Sequence, residues 1–277
     1  MRWGSPFKAS HRSASWMVGT RWSDHPHIIR KGHRYLTCVF DHDTGRLVWA
    51  APGRNTETLL KFFDALGPVR SAELTHVSAD GAEWIHAAVA QRAPQAVLCL
   101  DPFHVVAWAV KALDEVRRQT WNKLRGNGDH EAAREMKGTR WALVKNPRDL
   151  TPEQRGSLAS LSKTNSGLYR AYLLKEQLRL VFSTKGETGR ELLAGWLAWA
   201  RRSQLPGFVA LAATIKRFQQ LIFNTLDHGL SNALSEATNT HLRALTKRAN
   251  GFHTPEAFIA MAMLTRGGLC PALPNRP

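Results

Sequence analysis

Two aspartates stand where this sequence could support metal-dependent chemistry. Asp80 lies just past a strand predicted over 74–78, and Asp101 directly follows an all-apolar strand predicted over 96–100. In open α/β sheets, ligands bind at the carboxyl ends of parallel strands. Two carboxylates on neighbouring strand ends offer the hard oxygen ligands that Mg²⁺ and Mn²⁺ prefer. The alternative is that each aspartate is a helix N-cap, because a predicted helix follows each of them.

A third carboxylate, Glu236, lies on a helix predicted over 230–247. Steps of three or four residues separate the members of a polar stripe around it: Asn232, Glu236, Asn239 and Arg243. Residues at this spacing share one helix face, and their amide, carboxylate and guanidinium groups could bind a metal ion and a phosphate together. The alternative is a solvated helix face, which is the commoner role of such a stripe.

The charge of the chain is unevenly distributed. The 277 residues include 38 Lys and Arg against 22 Asp and Glu, a formal net charge of +16. Residues 71–110 contain one basic and four acidic residues, whereas residues 111–220 contain 21 and 10. A basic surface is consistent with nucleic-acid binding, since each cation placed on a phosphate releases a counterion. It is equally consistent with a solvated surface whose charge only makes the protein soluble. The acidic segment would repel phosphate unless a divalent metal neutralised it.

The elements that must position these residues form an α/β half and a helical half. A hairpin is predicted over 35–40 and 46–51, with amphipathic helices over 56–66 and 81–92. After residue 103 the pattern predicts helices only, over 105–123, 131–144, 152–161, 168–182, 190–202, 208–226, 230–247 and after Thr254. Residues 1–27 show no periodicity, which predicts an irregular segment. The order of elements indicates a mixed α/β sheet.

Several classes of protein are excluded by the composition. No apolar run approaches the length of a membrane span, and the first 20 residues lack the apolar core of a signal peptide. Cys38, Cys99 and Cys270 are far apart and form no Cys-x-x-Cys pair, so a disulfide framework is not expected. We therefore expect a cytoplasmic protein without a membrane partner.

Short motifs follow one another in a fixed order along the chain. They are Arg30-Lys31-Gly32-His33, Val77-Ser78-Ala79-Asp80-Gly81, Asp101-Pro102-Phe103-His104, Asp114-Glu115-Val116-Arg117-Arg118, Lys137-Gly138-Thr139-Arg140-Trp141, Ala171-Tyr172-Leu173-Leu174-Lys175-Glu176, Ser231-Asn232 with Glu236 and Asn239, and Lys247-Arg248-Ala249-Asn250-Gly251-Phe252. Together they resemble the catalytic domain of the IS-L-three family of bacterial insertion-sequence transposases. The resemblance covers residue 28 to the end, and linked motifs are far more specific than any one of them.

The resemblance implies a DDE-type transposase with an α/β, RNase-H-like fold: a mixed sheet, a large helical insertion and C-terminal helices. The corresponding segments are an irregular lead-in over 1–27, the α/β core over 28–105, the insertion over 106–225 and helices completing the catalytic core over 226–277. Such enzymes hold two divalent cations for in-line displacement at phosphorus. The implied cofactor is Mg²⁺ or Mn²⁺. The implied partners are transposon-end and target DNA, with a homodimer or larger assembly bringing the ends together.

The resemblance also implies roles for individual residues. Asp80 and Glu236 match the catalytic metal ligands, and Asp101 matches a motif beside them as a further metal ligand or substrate-contacting group. The implied DNA-binding residues are Arg30, Lys31, His104, Arg117, Arg118, Arg140, Asn239, Arg243, Lys247 and Arg248.

The chain departs from the family at the first catalytic aspartate. In the family this residue lies on the first strand, five residues before the position of Arg30, where this chain has His25. Asp24 is one residue out of register, and Pro26 is unfavourable in a central strand. The family's upstream zinc-binding and helix-turn-helix regions have no counterpart, so we expect an N-terminally truncated copy. Either Asp24 supplies the first carboxylate, or the chain is a catalytically inactive DNA-binding remnant.

Overall fold

A computed structural model of the chain describes residues 14–21, 35–230, 233–249 and 251–268, and their side chains over 35–230, 240–249 and 251–268. It divides into two compact units. The first unit combines residues 1–101 with 230–277, and the second covers 102–229. The predicted helical insertion over 106–225 lies within the second unit.

A five-stranded mixed sheet forms the first unit, in the order β3-β2-β1-β4-β5. The strands are β1 (Ala14–Arg21), β2 (Tyr35–Asp41), β3 (Leu47–Pro52), β4 (Leu74–Ala79) and β5 (Val97–Leu100). The pairs β1–β2 and β2–β3 are antiparallel, whereas β1–β4 and β4–β5 are parallel. The carboxyl ends of β1, β4 and β5 therefore lie at the same edge of the sheet.

The prediction of an irregular segment over 1–27 is wrong for residues 14–21, which form the middle strand. The strand has the sequence ASWMVGTR, which mixes small, polar and apolar residues without a period of two. Its pairing with β2 and with β4 supplies backbone hydrogen bonds on both sides. Those long-range ladders, rather than local propensity, form the strand, and this is why the pattern misses it.

The predicted hairpin is present, and its turn is stabilised by the side chain of Asp41. The Asp41 carboxylate accepts hydrogen bonds from the Asp43 N–H at 3.0 Å and from the Thr44 hydroxyl at 2.6 Å. Gly45 follows with φ +66°, a left-handed conformation that glycine adopts without steric cost.

Helices cover both faces of the sheet in the first unit. They are α1 (Thr56–Leu66), α2 (Pro68–Ala72), α3 (Glu83–Arg92), α12 (Ala233–Arg248) and α13 (Pro255–Arg266). On one face Val39 of β2 packs in a cluster with residues of α1 and α3. On the other face Leu36, Cys38 and Phe40 pack with Leu242 of α12 and residues of α13. Because successive side chains of β2 point to opposite faces of the sheet, the core is divided into two layers.

The second unit consists of helices. They are α4 (Pro102–Gly126), α5 (His130–Gly138), α6 (Arg140–Val144), α7 (Pro152–Thr164), α8 (Ser166–Ser183), α9 (Gly186–Arg202), α10 (Pro206–Arg217) and α11 (Gln219–His228), with a 3₁₀ turn at Pro147–Asp149. The capping box expected at Thr151 is formed with Gln154. No helix of the described residues combines the length and apolar character that crossing a membrane requires.

Two helices predicted as continuous are each divided in the structure. The helix predicted over 131–144 ends at Gly138 and resumes at Arg140, with Thr139 between the two segments. The buried Thr139 hydroxyl donates to the Met136 carbonyl at 2.8 Å, and so provides a hydrogen-bond donor for a carbonyl at the end of α5. The helix predicted over 208–226 is likewise divided at Phe218. In both cases the apolar period continues through the break, so the pattern alone does not reveal it.

Candidate active site at the carboxyl edge of the sheet

Asp80 and Asp101 lie at adjacent strand ends, as their positions in the sequence predict. Strands β4 and β5 are parallel neighbours, with Ala79 opposite Leu100, and each aspartate follows its strand directly. The Asp101 N–H donates to the Ala79 carbonyl at 2.9 Å, which extends the pairing of the two strands by one bond. Asp101 is buried, whereas the Asp80 side chain is 18% exposed. Asp80 is therefore the carboxylate of this pair that a ligand from solvent can reach.

The side chain of Asp80 does not cap the following helix. The N-cap of α3 is Ala82, and no side chain caps it. Asp80 Oδ1 instead accepts the Ala82 N–H at 3.2 Å, a bond between residues two apart that fixes the turn after β4. The N-cap interpretation of Asp80 is therefore wrong, because its Oδ1 stabilises a local turn instead. Its Oδ2 lies near other groups.

One neighbour of Asp80 is Arg54, a residue that the sequence does not single out. Its guanidinium Nη2 lies 3.6 Å from Asp80 Oδ2, and its side chain is 48% exposed. The guanidinium carbon also lies 5.3 Å from the centroid of the Tyr35 ring, within range of a cation–π interaction. Arg54 thus places a positive charge beside the accessible carboxylate while keeping half of its surface in solvent.

The connection between β3 and α1 holds Arg54 in this place. Gly53 has φ +119°, and a Cβ atom added there would lie 2.3 Å from the Thr58 hydroxyl oxygen. The Gly53 carbonyl accepts from the Thr37 hydroxyl at 2.9 Å. After Arg54, the Asn55 side chain caps α1 by accepting the Thr58 N–H at 2.8 Å. The backbone on both sides of Arg54 is therefore fixed, and only glycine fits at position 53.

His86 is a second neighbour of Asp80 that the sequence does not predict. Burial lowers the pKa of its imidazole, although the Asp80 carboxylate and a hydrogen bond to the Asp80 backbone act in the opposite direction. The histidine is therefore neutral near pH 7, and it adds a backbone interaction to Asp80 rather than a charge.

Glu236 lies on α12, in the same unit as Asp80. Leu242 is buried and Leu245 packs beside it, both against the face of the sheet that β2 and β3 form. Glu236 lies six positions before Leu242, which places it about 9 Å further toward the N-terminus of the helix. The side chains of residues 233–239, which include Glu236 and Asn239, lie outside the described part of the structure. Arg243, Lys247 and Arg248, further along α12, are exposed.

The middle strand carries no carboxylate. Within β1, Val18 is opposite Ala79, the residue before Asp80, so this part of β1 lies beside the candidate site. The strand contains neither Asp nor Glu. Asp24, Arg30 and Lys31 follow it in the sequence and lie outside the described residues.

The described carboxylates fit a hard divalent cation in the type of their ligand atoms. Asp80 and Asp101 place carboxylate oxygens at one sheet edge, and oxygen is the ligand atom that Mg²⁺ and Mn²⁺ prefer. Among the described side chains, no group of three or more His, Cys, Asp or Glu residues is placed to hold a metal ion. A third ligand to such a cation would have to come from Glu236 or from another residue whose side chain lies outside the described part of the structure.

In the second unit, three of the predicted DNA-binding arginines meet around one carboxylate. Arg117 Nε donates to Asp114 Oδ1 at 2.8 Å, and Arg118 Nε lies 3.4 Å from Oδ2. Arg140 Nε lies 4.0 Å from Oδ1. Three guanidinium groups and one carboxylate leave this group of residues, the Asp114 cluster, with a net charge of +2. His104, also predicted to bind DNA, lies in the first turn of α4 beside the ring of Phe103.

Comparison with known proteins finds a family that matches the chain. A transposase family model, that of the ISL3 DDE domain, matches residues 26–262. Strand β1 precedes the matched range.

Two relatives illustrate the similarity. The chain is 54% identical over 266 residues to the transposase for insertion sequence element IS1557 of Mycobacterium tuberculosis strain H37Rv, covering 89% of this chain and 60% of the relative. It is 30% identical over 253 residues to the transposase for insertion sequence element IS1001 of Bordetella parapertussis, covering 91% and 62%. The chain thus spans about three fifths of the length of the curated relatives it matches.

Proposed function

The chain belongs to the ISL3 family of transposases, and we propose that it cleaves and joins DNA strands at the ends of an insertion sequence. The mixed sheet, with a helical unit inserted before α12, supports the assignment of an RNase-H-like catalytic core. The proposal is carried by Asp80, an accessible carboxylate at the end of β4, next to Asp101 and in the same unit as the helix of Glu236.

In the proposed reaction, Asp80 and Glu236 would hold Mg²⁺ or Mn²⁺, with Asp101 beside them. An ion held there would supply an activated water or 3′-hydroxyl as nucleophile and a positive charge for the leaving oxygen of an in-line displacement. Arg54, 3.6 Å from Asp80 and half exposed, would bind a non-bridging oxygen of the phosphate under attack. His86 would hold the backbone of Asp80 in place without adding charge.

The charge distribution supports a DNA substrate. The acidic residues of 71–110 lie in the unit that contains the carboxylates, whereas 111–220, in the second unit, carry 21 basic against 10 acidic residues. In the first unit, exposed Arg243, Lys247 and Arg248 follow Glu236 along α12. Basic surfaces bind the DNA backbone, and the carboxylates bind the cations that allow a phosphate to approach. A homodimer or larger assembly would bring two DNA ends together.

One observation favours a second candidate function. The middle strand β1, next to β4, contains no carboxylate, so it cannot supply the first catalytic aspartate that the family resemblance implies. If Asp24 does not take that place, the chain would bind DNA without cleaving it. The two candidates differ in one measurable property, namely metal-dependent cleavage.

The test is a nicking and strand-transfer assay on DNA that carries a terminal inverted repeat, with Mg²⁺ or Mn²⁺. We expect Asp80→Ala and Glu236→Ala to abolish cleavage while leaving DNA affinity within about threefold, since neither carboxylate contributes a phosphate contact. Asp64→Ala is the matched control, because Asp64 is an exposed carboxylate of the same unit that pairs with Arg92. Asp24→Ala reports whether Asp24 supplies the first carboxylate.

The possible results separate the two functions. Cleavage that Asp80→Ala leaves intact would remove Asp80 from the mechanism and overturn the proposed site. Salt-sensitive DNA binding without cleavage in either metal would establish the second candidate. A chain that binds no DNA at low salt would contradict both.

A further inference from the structure

Trp141 in α6 of the second unit is 60% exposed. The next two residues of the helix, Ala142 and Leu143, are buried. The helix therefore packs through one side and presents the indole on the other. Tryptophan is highly buried on average, and here most of the indole is accessible to a ligand from solvent.

The Asp114 cluster adjoins this indole. The Arg140 guanidinium carbon lies 5.5 Å from the centroid of the Trp141 ring while Arg140 Nε faces Asp114. The Arg118 and Arg140 side chains are 61% and 56% exposed. The carboxylate thus orients two guanidinium groups whose remaining N–H donors reach solvent, since each guanidinium has five.

The guanidinium groups and the indole match the two parts of a nucleotide, its phosphate and its base. A guanidinium binds phosphate oxygens through paired N–H donors, and the net charge of the cluster favours an anion. An indole face binds a nucleobase by stacking. In a duplex both faces of each internal base are covered by its neighbours, so an internal base can lie on Trp141 only after it has left the stack.

We propose that Trp141, Arg118 and Arg140 form a binding site for an unpaired DNA nucleotide, with the indole on its base and the guanidinium groups on its phosphate. This inference rests on the proposed function in taking DNA as the ligand, and it adds the state of the nucleotide that this surface selects. Cleavage at a DNA end leaves strands whose terminal nucleotides can unpair, and this site would hold one of them apart from the duplex.

A binding assay without metal tests the site independently of catalysis. The full chain is titrated, in EDTA, into labelled blunt inverted-repeat duplex and into the same duplex with an unpaired thymidine tail. We expect Trp141→Ala to weaken binding of the tailed duplex about 5- to 150-fold, the effect of one lost base stack, and to change binding of the blunt duplex less than twofold. Trp141→Phe should retain most of the affinity because it keeps a ring. Leu180→Ala is the matched control, at a 51% exposed apolar residue of the same unit, and should change neither affinity.

Arg118→Gln separates the phosphate contact from the stack. It should weaken binding of the tailed duplex and lower the salt dependence of that binding by about one counterion. A tail that carries 5-iodouracil should, on irradiation, form its crosslink on the peptide that contains Trp141. Thermal unfolding of each variant checks that the helical unit remains folded.

Three results would overturn the inference: equal loss of tailed and blunt binding in Trp141→Ala, the same loss in Leu180→Ala, or a crosslink that maps elsewhere. Loss of self-association in Trp141→Ala, without a change in DNA affinity, would assign the indole to a contact between copies instead. If the blunt duplex binds and is cleaved normally but the tail adds no affinity, only this inference fails. If no DNA binds, the proposed function itself fails.

Discussion

Arg54 offers the sharpest test of the site, because its contributions to stability and to catalysis should differ in size. Arg54→Gln removes an ion pair whose charged atoms lie 3.6 Å apart, between a half-exposed guanidinium and the Asp80 carboxylate. Exposed pairs of this kind contribute about 0–1 kcal/mol. The stack on Tyr35 adds about 0.5–1 kcal/mol. We therefore expect the free energy of unfolding to fall by only about 1 kcal/mol.

The expected effect of the same substitution on cleavage is much larger. If Arg54 binds the phosphate under attack, its charge acts where negative charge develops in the transition state. Removal of one such positioned donor costs about 10²–10³ in rate. Arg54→Lys should restore part of the rate, since the ammonium keeps the charge but lacks the paired donors of a guanidinium.

Two measurements on each variant separate these effects. Urea unfolding gives the free energy of unfolding, and single-turnover nicking at saturating DNA gives the rate of cleavage. Arg92→Gln is the matched control, because Arg92 pairs with Asp64 at 2.8 Å in the same unit but away from Asp80. A cleavage rate for Arg54→Gln within about threefold of wild type, or an equal loss in Arg92→Gln, would refute this role of Arg54.

Three further substitutions test other parts of the structure. Gly53→Ala should lower the free energy of unfolding by about 1–3 kcal/mol, because position 53 has φ +119° and a Cβ there meets the Thr58 hydroxyl; an unchanged urea midpoint would argue against this strained turn. Burial lowers the pKa of Lys175. At pH values between that lowered pKa and the ordinary lysine pKa of about 10.4, the unfolded chain therefore binds more protons than the folded chain, and the free energy of unfolding of the wild type should rise with pH. Lys175→Met should lack that rise in urea unfolding from pH 7.5 to 10, and parallel pH profiles of the two proteins would contradict it. Leu242→Ala should lower the free energy of unfolding by about 2–5 kcal/mol through a cavity beneath α12, and should reduce cleavage by displacing Glu236. An unchanged thermal unfolding temperature would show that this packing is unimportant.

Much of the first unit could be predicted because the relevant signals are local. The hairpin over 35–41 and 47–52 follows from β-rich runs around an Asp- and Gly-containing turn. The end of β5 follows from a short apolar run and the end of β4 from a short strand-like segment before Asp80, and their parallel pairing brings Asp80 and Asp101 to one edge. These features need only neighbouring residues and the geometry of a sheet.

The middle strand could not be predicted, because its stability comes from both neighbours. The segment Ala14–Arg21 has weak local preference for a strand, yet β4 pairs with its residues 14–18 and β2 with its residues 16–21. This result also changes the question about the first catalytic aspartate. The family resemblance places it at His25, but the strand beside Asp80 ends at Arg21.

The sequence by itself determined the family, the uneven charge, the strand ends that carry Asp80 and Asp101, and the helix that carries Glu236. Composition, motif order and short-range periodicity encode all of these. Only the tertiary structure decided that Arg54 lies beside Asp80 and that Arg140 joins the Asp114 cluster next to an exposed Trp141. Such contacts join residues far apart in the chain, and they depend on how helices and strands pack rather than on any local pattern.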